Sequence, residues 1–265
     1  MRIGLYQFAG TNRISENMKH ICRAIKGAAE QSVRLLVFHE CALCGYPPIE
    51  TSMEEIRPEE VETALRRIGE LARQTHMFVA VGTVRFSENG RYNSLALFGE
   101  NGSLLGFYDK RALWGWDEEH FTRGENPGIF EVDGIRIGFR ICFDVRFPEL
   151  FRQLYRERAE LCFVAFSDTS KEPDPVRRNI ISAHLITRAV ENVMTVASVN
   201  TVSAWQTAPT AVFDCNGRLL KEAENGREGL LTYDYVTPQT TFGTRGRLVN
   251  NDFFLGEQGG NGFPK

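Results

Sequence analysis

The segment from residue 135 to residue 150 places a cysteine where it could act as a nucleophile. From Ile135 to Ile141 every second residue is large and apolar, which predicts a strand, and Pro148 is typical of the start of a helix. Cys142 would therefore lie on the turn between the two, near backbone N–H groups that can lower the pKa of a thiol and bind an oxyanion. The alternative is that Cys142 is a small buried hydrophobic residue, as most free cysteines are.

Two charged residues end predicted strands in the same way. Glu40 follows the apolar run RLLVFH, and Lys110 follows LLGFYD. Open α/β sheets place their sites at the carboxyl ends of strands, so we expect both side chains to lie near Cys142. A carboxylate, an ammonium and a thiol would supply the base, the oxyanion stabiliser and the nucleophile of acyl transfer. Taken singly, a glutamate or lysine at a strand end is more often a solvated charge.

The elements that must position these residues alternate between strand and helix, which predicts a layered α/β fold. In the first third we expect strands at 2–8, 33–38 and 77–86, with helices at 15–31 and from Pro58. The hairpin dipeptides at 89–90, 101–102 and 133–134 predict a sheet-rich middle. After Cys142 we expect helices at 148–158 and 176–191, and strands at 161–166, 193–199, 210–213, 219–222 and 229–235. From about residue 237 the chain is expected to be irregular.

Length and composition indicate how many domains to expect and which partners are excluded. The 265 residues (30.0 kDa, 42% hydrophobic) suffice for one large core, so 1–265 is expected to be a single domain. A net charge of -3, with lysine and arginine spread along the chain, argues against a nucleic-acid partner. No run of 18 uncharged apolar residues occurs, and the amino terminus resembles a strand more than a signal sequence. We therefore expect a cytoplasmic protein without a membrane partner.

The pair Cys41 and Cys44 has C-x-x-C spacing beside His39, which raises the possibility of a zinc or redox site. A structural zinc site needs four ligands, and no second C-x-x-C or clear histidine pair accompanies this one. The six cysteines are also too scattered to form the framework of a small secreted domain. We therefore expect reduced thiols and no metal.

Three motifs, in order, resemble the signatures of the nitrilase superfamily of carbon-nitrogen hydrolases: FHE (38–40), YDKRAL (108–113) and CFDVRFPEL (142–150). The resemblance runs over about residues 2–221 and continues through SAHLITRAVEN (182–192) and VASVN (196–200). Each motif is weak alone, whereas three in order are specific.

This resemblance implies a four-layer αββα sandwich with two central mixed β-sheets, and a homodimer paired through helices. It implies a catalytic triad of Glu40, Lys110 and Cys142, with no metal or organic cofactor. It also implies a second acid after the lysine. The spacing from Lys110 favours Glu118 or Glu119, of which we take Glu118 as catalytic, whereas counting back from FTRG (121–124) favours Asp117.

The resemblance also implies a mechanism and a substrate class. Glu40 would take the proton of Cys142, and Lys110 with the N–H of Phe143 would stabilise the oxyanion. The Phe-Asp after the cysteine is similar to the Tyr-Asp of amidase-like branches, so hydrolysis of a small carboxamide is favoured over nitrile hydrolysis, with N-carbamoyl amides as an alternative. SDTS (167–170) replaces the Asn-Trp that relatives often carry.

Four residues are candidates for substrate binding: Trp114, Glu119, Phe143 and Arg146. Arg146 could hold a substrate carboxylate, or it could fix its own loop through an internal ion pair. Two other classes of function stay open. The chain could be an inactive relative that binds a ligand or a protein partner, or a zinc or redox protein built on Cys41 and Cys44.

Overall fold

The computed structural model of the protein describes residues 1–256, in which twelve strands and six α-helices are found. The strands, β1 to β12 in chain order, are Arg2–Gln7, Leu35–Phe38, Phe78–Ser87, Gly90–Phe98, Leu104–Asp109, Ile129–Val132, Ile135–Ile141, Leu161–Phe166, Thr195–Asn200, Ala211–Phe213, Leu219–Glu222 and Gly229–Asp234. The helices, α1 to α6, are Ile14–Glu30, Pro58–Thr75, Trp116–His120, Pro148–Arg156, Pro175–Asn192 and Phe242–Phe254. The predicted elements up to residue 235 lie within a few residues of these bounds.

The strands form two six-stranded mixed sheets, with the orders β12-β1-β2-β3-β4-β5 and β11-β10-β9-β8-β7-β6. In each sheet the central strands are parallel and the outer ones antiparallel. The parallel pairs are β1 with β2, β2 with β3, β7 with β8, and β8 with β9. Parallel neighbours need crossover connections, and the helices that follow β1, β2, β7 and β8 supply them.

Three apolar layers hold the sandwich together. Helices α1 and α2 bury residues such as Ile21 and Ile68 against the outer face of the first sheet. The two sheets face each other across a second cluster that includes Val37 and Phe163. Helices α4 and α5 pack on the outer face of the second sheet through residues such as Leu185. The αββα sandwich that the family resemblance implies is confirmed by these layers.

The tail contains a helix that the sequence prediction missed. Helix α6 occupies Phe242–Phe254, inside the stretch expected to be irregular. Gly243 and Gly246 weaken its helical pattern, since glycine is a poor helix former. Tertiary contacts compensate: the Asp252 carboxylate accepts a hydrogen bond from the hydroxyl of Tyr155 at 2.6 Å. Most of the glycine-rich stretch from 256 to 262 lies outside the described residues.

The sheet directions bring the predicted site residues to one edge. Strand β5 is antiparallel to β4, which is antiparallel to β3, so β5 runs in the same direction as β2 and β3. Glu40 and Lys110 therefore follow strand ends at the same edge of the first sheet. Cys142 directly follows β7 of the second sheet. No helix within residues 1–256 is long and apolar enough to cross a membrane.

Candidate active site

Glu40 lies fully buried just beyond β2, and each of its carboxylate oxygens has a donor. Oε1 accepts from the side-chain amide of Asn93 at 2.7 Å and from Nζ of Lys110 at 2.9 Å. Oε2 accepts from the backbone N–H of Ser167, at the end of the second sheet, at 2.8 Å. Since all these donors are fixed by strands or strand ends, the carboxylate is held in one orientation between the sheets.

Lys110 stands between two carboxylates. Its Nζ donates to Glu40 and, at 2.7 Å, to Oδ2 of Asp117. The other oxygen of Asp117 accepts from the hydroxyl of Tyr46 at 2.8 Å. Lys110 and Asp117 are both almost completely buried. Buried charges need such pairing, so Asp117 completes the electrostatic environment of the lysine.

Of the three consecutive acids, the structure places Asp117 beside Lys110, whereas Glu118, which we predicted to be the catalytic one, does not reach the site. Residues 116–120 form the short helix α3, in which successive residues point in different directions. Asp117 faces inward, whereas Glu118 and Glu119 are exposed to solvent. Glu119 does not line the cavity next to Cys142, so its predicted role in substrate binding is not supported either. Spacing along the sequence could not identify which of three consecutive acids points inward.

Cys142 occupies the sharp turn that the sequence predicts. Its φ of +45° lies in the left-handed region, which is costly for a residue with a side chain. A 3-10 helix, Cys142–Arg146, follows, and α4 begins at Pro148. The first N–H groups of a helix have no partner within it, so the N–H of Phe143 is available to bind an oxyanion.

Asp144 holds this turn in place from inside the protein. Its Oδ2 accepts from the N–H of Ile141 at 2.9 Å and from the hydroxyl of Tyr108 at 2.7 Å. Its Oδ1 accepts from the N–H groups of Ala112 at 2.7 Å and Arg111 at 3.2 Å. One buried carboxylate therefore joins the nucleophile turn to the segment directly after Lys110, across the two sheets.

The ionisable groups of the site shift one another's pKa values. Burial raises the pKa of the Cys142 thiol, the carboxylate of Glu40 raises it further, and Lys110 opposes both. Burial also raises the pKa of Glu40, again against the effect of Lys110. Burial alone would lower the pKa of Lys110, but Glu40, Cys142 and Asp117 outweigh it and the pKa is raised. The pKa of the thiol is therefore shifted upwards, contrary to the expectation that the turn would lower it.

A cavity of about 370 Å³ opens over Cys142. Lys110 and Asp117 line it together with three predicted substrate-binding residues, Trp114, Phe143 and Arg146. Trp114 is 70% exposed, so it forms part of the rim and not of the core. A larger groove of about 690 Å³ runs along α2, but its lining within residues 1–256 contains no cysteine, serine, threonine or histidine.

The guanidinium of Arg146 lines the cavity and packs on an aromatic ring. Its guanidinium lies 5.6 Å from the centre of the Phe143 ring, which is a cation–π arrangement. Within residues 1–256 no carboxylate lies within ion-pair distance of it, so the alternative of an internal ion pair finds no support there. Its backbone oxygen accepts from Arg188 of α5 at 3.1 Å, which fixes the loop.

Sequence reasoning missed two further charged residues of the cavity, Asp168 and Arg177. Asp168 follows β8, and Arg177 lies in the first turn of α5. Arg177 Nε is 2.9 Å from Oδ1 of Asp168, and Asp168 Oδ2 lies 3.9 Å from Sγ of Cys142. The strand-end rule that identified Glu40 would also have found Asp168, which lies in the SDTS stretch noted as unusual.

The C-x-x-C pair lies in a buried turn beside Glu40. Cys41 and Cys44 are free thiols, and burial raises the pKa of Cys41 well above its ordinary value. No group of three histidine, cysteine, aspartate or glutamate side chains suited to a metal occurs in the part of the chain that the structure describes. Cys41 packs at 3.7 Å from the amide oxygen of Asn93, the residue that donates to Glu40.

Comparison with known proteins finds one matching family and several relatives whose names include amidases. The profile of the family described as "Carbon-nitrogen hydrolase" matches residues 2–241. A glutamine-dependent NAD(+) synthetase from Aquifex aeolicus is 31% identical over 232 residues, 83% of this chain but 39% of the synthetase. An omega-amidase from Xenopus tropicalis is 29% identical over 59% of each chain. A 2-oxoglutaramate amidase from Bacillus subtilis is 28% identical over 81% of this chain and 82% of its own length.

The solved structures that resemble this chain include an amidase from Nesterenkonia sp. AN1, which superimposes with a TM-score of 0.82 at 26% identity over 97% of this chain and 98% of that chain. A glutamate-to-glutamine variant of that amidase, similar to the same extent, shows the result of Michael addition of acrylamide at the active-site cysteine. These neighbours share the arrangement of two sheets between helices.

Proposed function

Because this chain belongs to the carbon-nitrogen hydrolase family, we propose that it is a thiol amidase that hydrolyses a small carboxamide to the carboxylic acid and ammonia. One observation carries the proposal. The buried Lys110, held between Glu40 and Asp117, lines the same cavity as Cys142 on its sharp turn. A base, a fixed positive charge and a thiol next to a small cavity are what acyl transfer through a thioester needs.

The first half of the reaction forms the thioester. Glu40 takes the proton of Cys142 as the sulfur attacks the carbonyl carbon of the amide, and the carbonyl oxygen becomes an oxyanion. Lys110 and the N–H of Phe143 stabilise that charge. As the intermediate collapses, the C–N bond breaks and Glu40 returns its proton to the nitrogen, so ammonia leaves and an acyl-Cys142 thioester is left.

The second half releases the acid. Glu40 takes a proton from a water molecule, whose oxygen attacks the thioester carbonyl. The C–S bond then breaks, and the proton held by Glu40 returns to the sulfur. Burial raises the pKa of Glu40, which makes its carboxylate a stronger base towards the thiol and towards water. Besides water and the substrate, the steps use three side chains, of Glu40, Lys110 and Cys142, and the backbone N–H of Phe143.

The acyl side of the substrate is small, and Arg146 favours acyl groups that carry a carboxylate. Its guanidinium has no carboxylate partner within residues 1–256, and a fork of guanidinium N–H groups suits a carboxylate. Relatives whose names refer to omega-amides or to 2-oxoglutaramate are consistent with such substrates. A cavity of about 370 Å³ has the size of a small-molecule site.

A hydrolysis screen tests the proposal. Release of ammonia is measured from linear amides, ω-amides of dicarboxylic acids, N-carbamoyl amino acids and nitriles. We expect turnover of amides and none of nitriles, with Cys142→Ala inactive. Arg146→Met should raise the KM for ω-amides and leave that for linear amides unchanged, whereas Arg91→Met, at an exposed position, should change neither. Turnover of nitriles alone, or of nothing in the screen, would reject the proposal.

A further inference from the structure

Asp168 is a buried carboxylate beside the nucleophile that the steps above leave without a role. It is 5% exposed and follows the end of β8. Asn200 fixes its backbone on both sides: the amide oxygen accepts from Asp168 N–H at 2.9 Å, and the amide nitrogen donates to Asp168 C=O at 2.8 Å. The side chain is therefore held in a defined place at the wall of the cavity.

The acceptor positions of this carboxylate are nearly all occupied by the protein. Oδ1 accepts from the hydroxyl of Thr207 and from Nε of Arg177 at 2.9 Å. Oδ2 accepts from Nη2 of Arg177 at 3.0 Å. A carboxylate has about four lone-pair positions, and these contacts use three. The fourth is on Oδ2, which lies 3.9 Å from Sγ of Cys142.

That fourth position loses its partner during catalysis. The thiol of Cys142 is a weak donor before the reaction, but neither a thiolate nor a thioester carries a hydrogen on sulfur. Oδ2 of Asp168 then keeps Arg177 as its donor at 3.0 Å and has one free lone-pair position, which faces the cavity. In the thioester the acyl group bonded to Sγ lies next to that position. Its α-carbon is two bonds from the sulfur, and Oδ2 is 3.9 Å from Sγ, so a donor on that carbon can reach hydrogen-bond distance of Oδ2.

We propose that Asp168 is a specificity-determining residue that selects amides whose α-carbon carries a hydrogen-bond donor, an amino or hydroxyl group. This inference rests on the thiol-amidase function proposed above. Arg177 serves as the counter-ion, so that a thiolate can form next to Asp168 without an uncompensated negative charge. The fixed position of Asp168 relative to Sγ also favours one enantiomer of such a substrate over the other.

Three amides of almost the same size test this role: propionamide, lactamide and alaninamide differ only in bearing H, OH or NH2 at the α-carbon. We expect kcat/KM of the wild-type protein for lactamide or alaninamide to exceed that for propionamide by on the order of ten- to a hundredfold, the range for a hydrogen bond to a charged group. The ratio of lactamide to alaninamide separates a neutral donor from a cationic one. The two enantiomers of the preferred amide should differ in rate.

Asp168→Asn should reduce this preference to within about threefold while propionamide is still hydrolysed, which shows that the variant is folded. The matched control is Asp174→Asn, which removes the carboxylate that accepts from the backbone N–H of Arg177 at 2.9 Å but lies outside the cavity lining. It should keep the wild-type ratios.

A wild-type protein that does not distinguish the three amides, or an Asp168→Asn variant that keeps the preference, overturns the inference and leaves the amidase function intact. Failure to hydrolyse any of the three, with no product in the wider screen, rejects the amidase function and the inference with it. The wild-type ratio requires no variant, so poor folding of Asp168→Asn would not prevent a decision.

Discussion

The ammonium of Lys110 lies 2.7 Å from the carboxylate of Asp117, closer than the 2.9 Å that separates it from Glu40. The lysine is thus shared between Glu40, the base of the proposed reaction, and Asp117, which accepts a hydrogen bond from the hydroxyl of Tyr46 at 2.8 Å. Because Asp117 is fixed in this way, we expect Lys110 to keep its position and charge when Glu40 takes up a proton.

Asp117→Asn should therefore lower kcat by at least about tenfold, since Lys110 would lose a charged partner in a buried site. The matched control is Glu118→Gln, one residue along α3 and exposed, which should keep kcat within about twofold. Steady-state ammonia release from a linear amide measures both. Equal losses in the two variants would contradict the assignment of Asp117 as the second acid.

The nucleophile and the base should be separable by alkylation. Cys142→Ala should abolish both amide turnover and labelling of the site by acrylamide, because the thiolate is the reacting group. Glu40→Gln should abolish turnover but leave a thiol that is slowly labelled, since only turnover requires proton transfer to the leaving amine and from water. Mass spectrometry of the labelled peptide gives the readout.

The control for this pair is Cys44→Ser, a buried thiol in the neighbouring turn, which should leave turnover largely intact. If the Cys44 variant were inactive and the Cys142 variant active, the thiol-amidase mechanism would be wrong.

Lys110→Ala should lose on the order of 100-fold or more in kcat, by analogy with the removal of a single oxyanion donor.

The network around Asp144 predicts a large loss of stability on truncation. Asp144→Ala removes the acceptor of the Tyr108 hydroxyl and of three backbone N–H groups, at Ile141, Ala112 and the partly buried Arg111. Buried donors left unpaired cost about 1–3 kcal/mol each, so we expect at least about 3 kcal/mol lower free energy of unfolding in urea. Tyr108→Phe removes one bond of the set and should cost about 1 kcal/mol. Similar values for the two variants would refute this account.

Glu50 predicts a pH dependence of stability. Burial raises the pKa of its carboxyl from 4.5 to about 7, although the Tyr46 N–H that it accepts at 2.6 Å opposes the shift. The folded protein therefore binds a proton there more tightly than the unfolded chain does. Its contribution to stability is complete below about pH 4.5 and is lost as the pH rises to about 7. The shift corresponds to on the order of 3 kcal/mol.

Glu50→Gln should remove this component, so that stability falls less between pH 5 and pH 8 than in the wild type. Urea denaturation at both pH values measures the difference. Exposed Glu88→Gln is the control and should retain the wild-type change. A Glu50→Gln protein with the same pH dependence as the wild type would show that Glu50 does not titrate in this range.

The exposed aromatic residues on α6 are the surface at which we expect the homodimer to form. Phe242 is 97% exposed, and Phe253 and Phe254 are more than 75% exposed, an unusual concentration for a surface in contact with water. We expect at least a dimer at micromolar concentration, and a shift towards monomer in the double variant Phe253→Ser, Phe254→Ser. Analytical ultracentrifugation measures both. A strictly monomeric wild type would remove this prediction.

The sequence by itself determined the layered fold and the three residues at strand ends. Continuous apolar runs predicted the buried central strands, such as Leu35–Phe38, and alternating apolar residues predicted Ile135–Ile141. Motif order identified Glu40, Lys110 and Cys142, because their chemistry depends on residue type and local position. Residue type, apolar pattern and local position can all be read from short segments of the sequence. The helix α6 escaped this reasoning because its glycines dilute the pattern and its docking on Tyr155 is a long-range contact.

Only the tertiary structure decided which neighbouring charges face the site. Asp117 rather than Glu118 is selected by the rotation of a single helical turn, and the direction of the Cys142 pKa shift depends on burial and on Glu40, about a hundred residues away in the chain. Asp168 meets Cys142 and Arg177 because parallel strands β7 and β8 and helix α5 converge at one edge. Electrostatic and hydrogen-bond partners act through space, so residue spacing alone could not assign them.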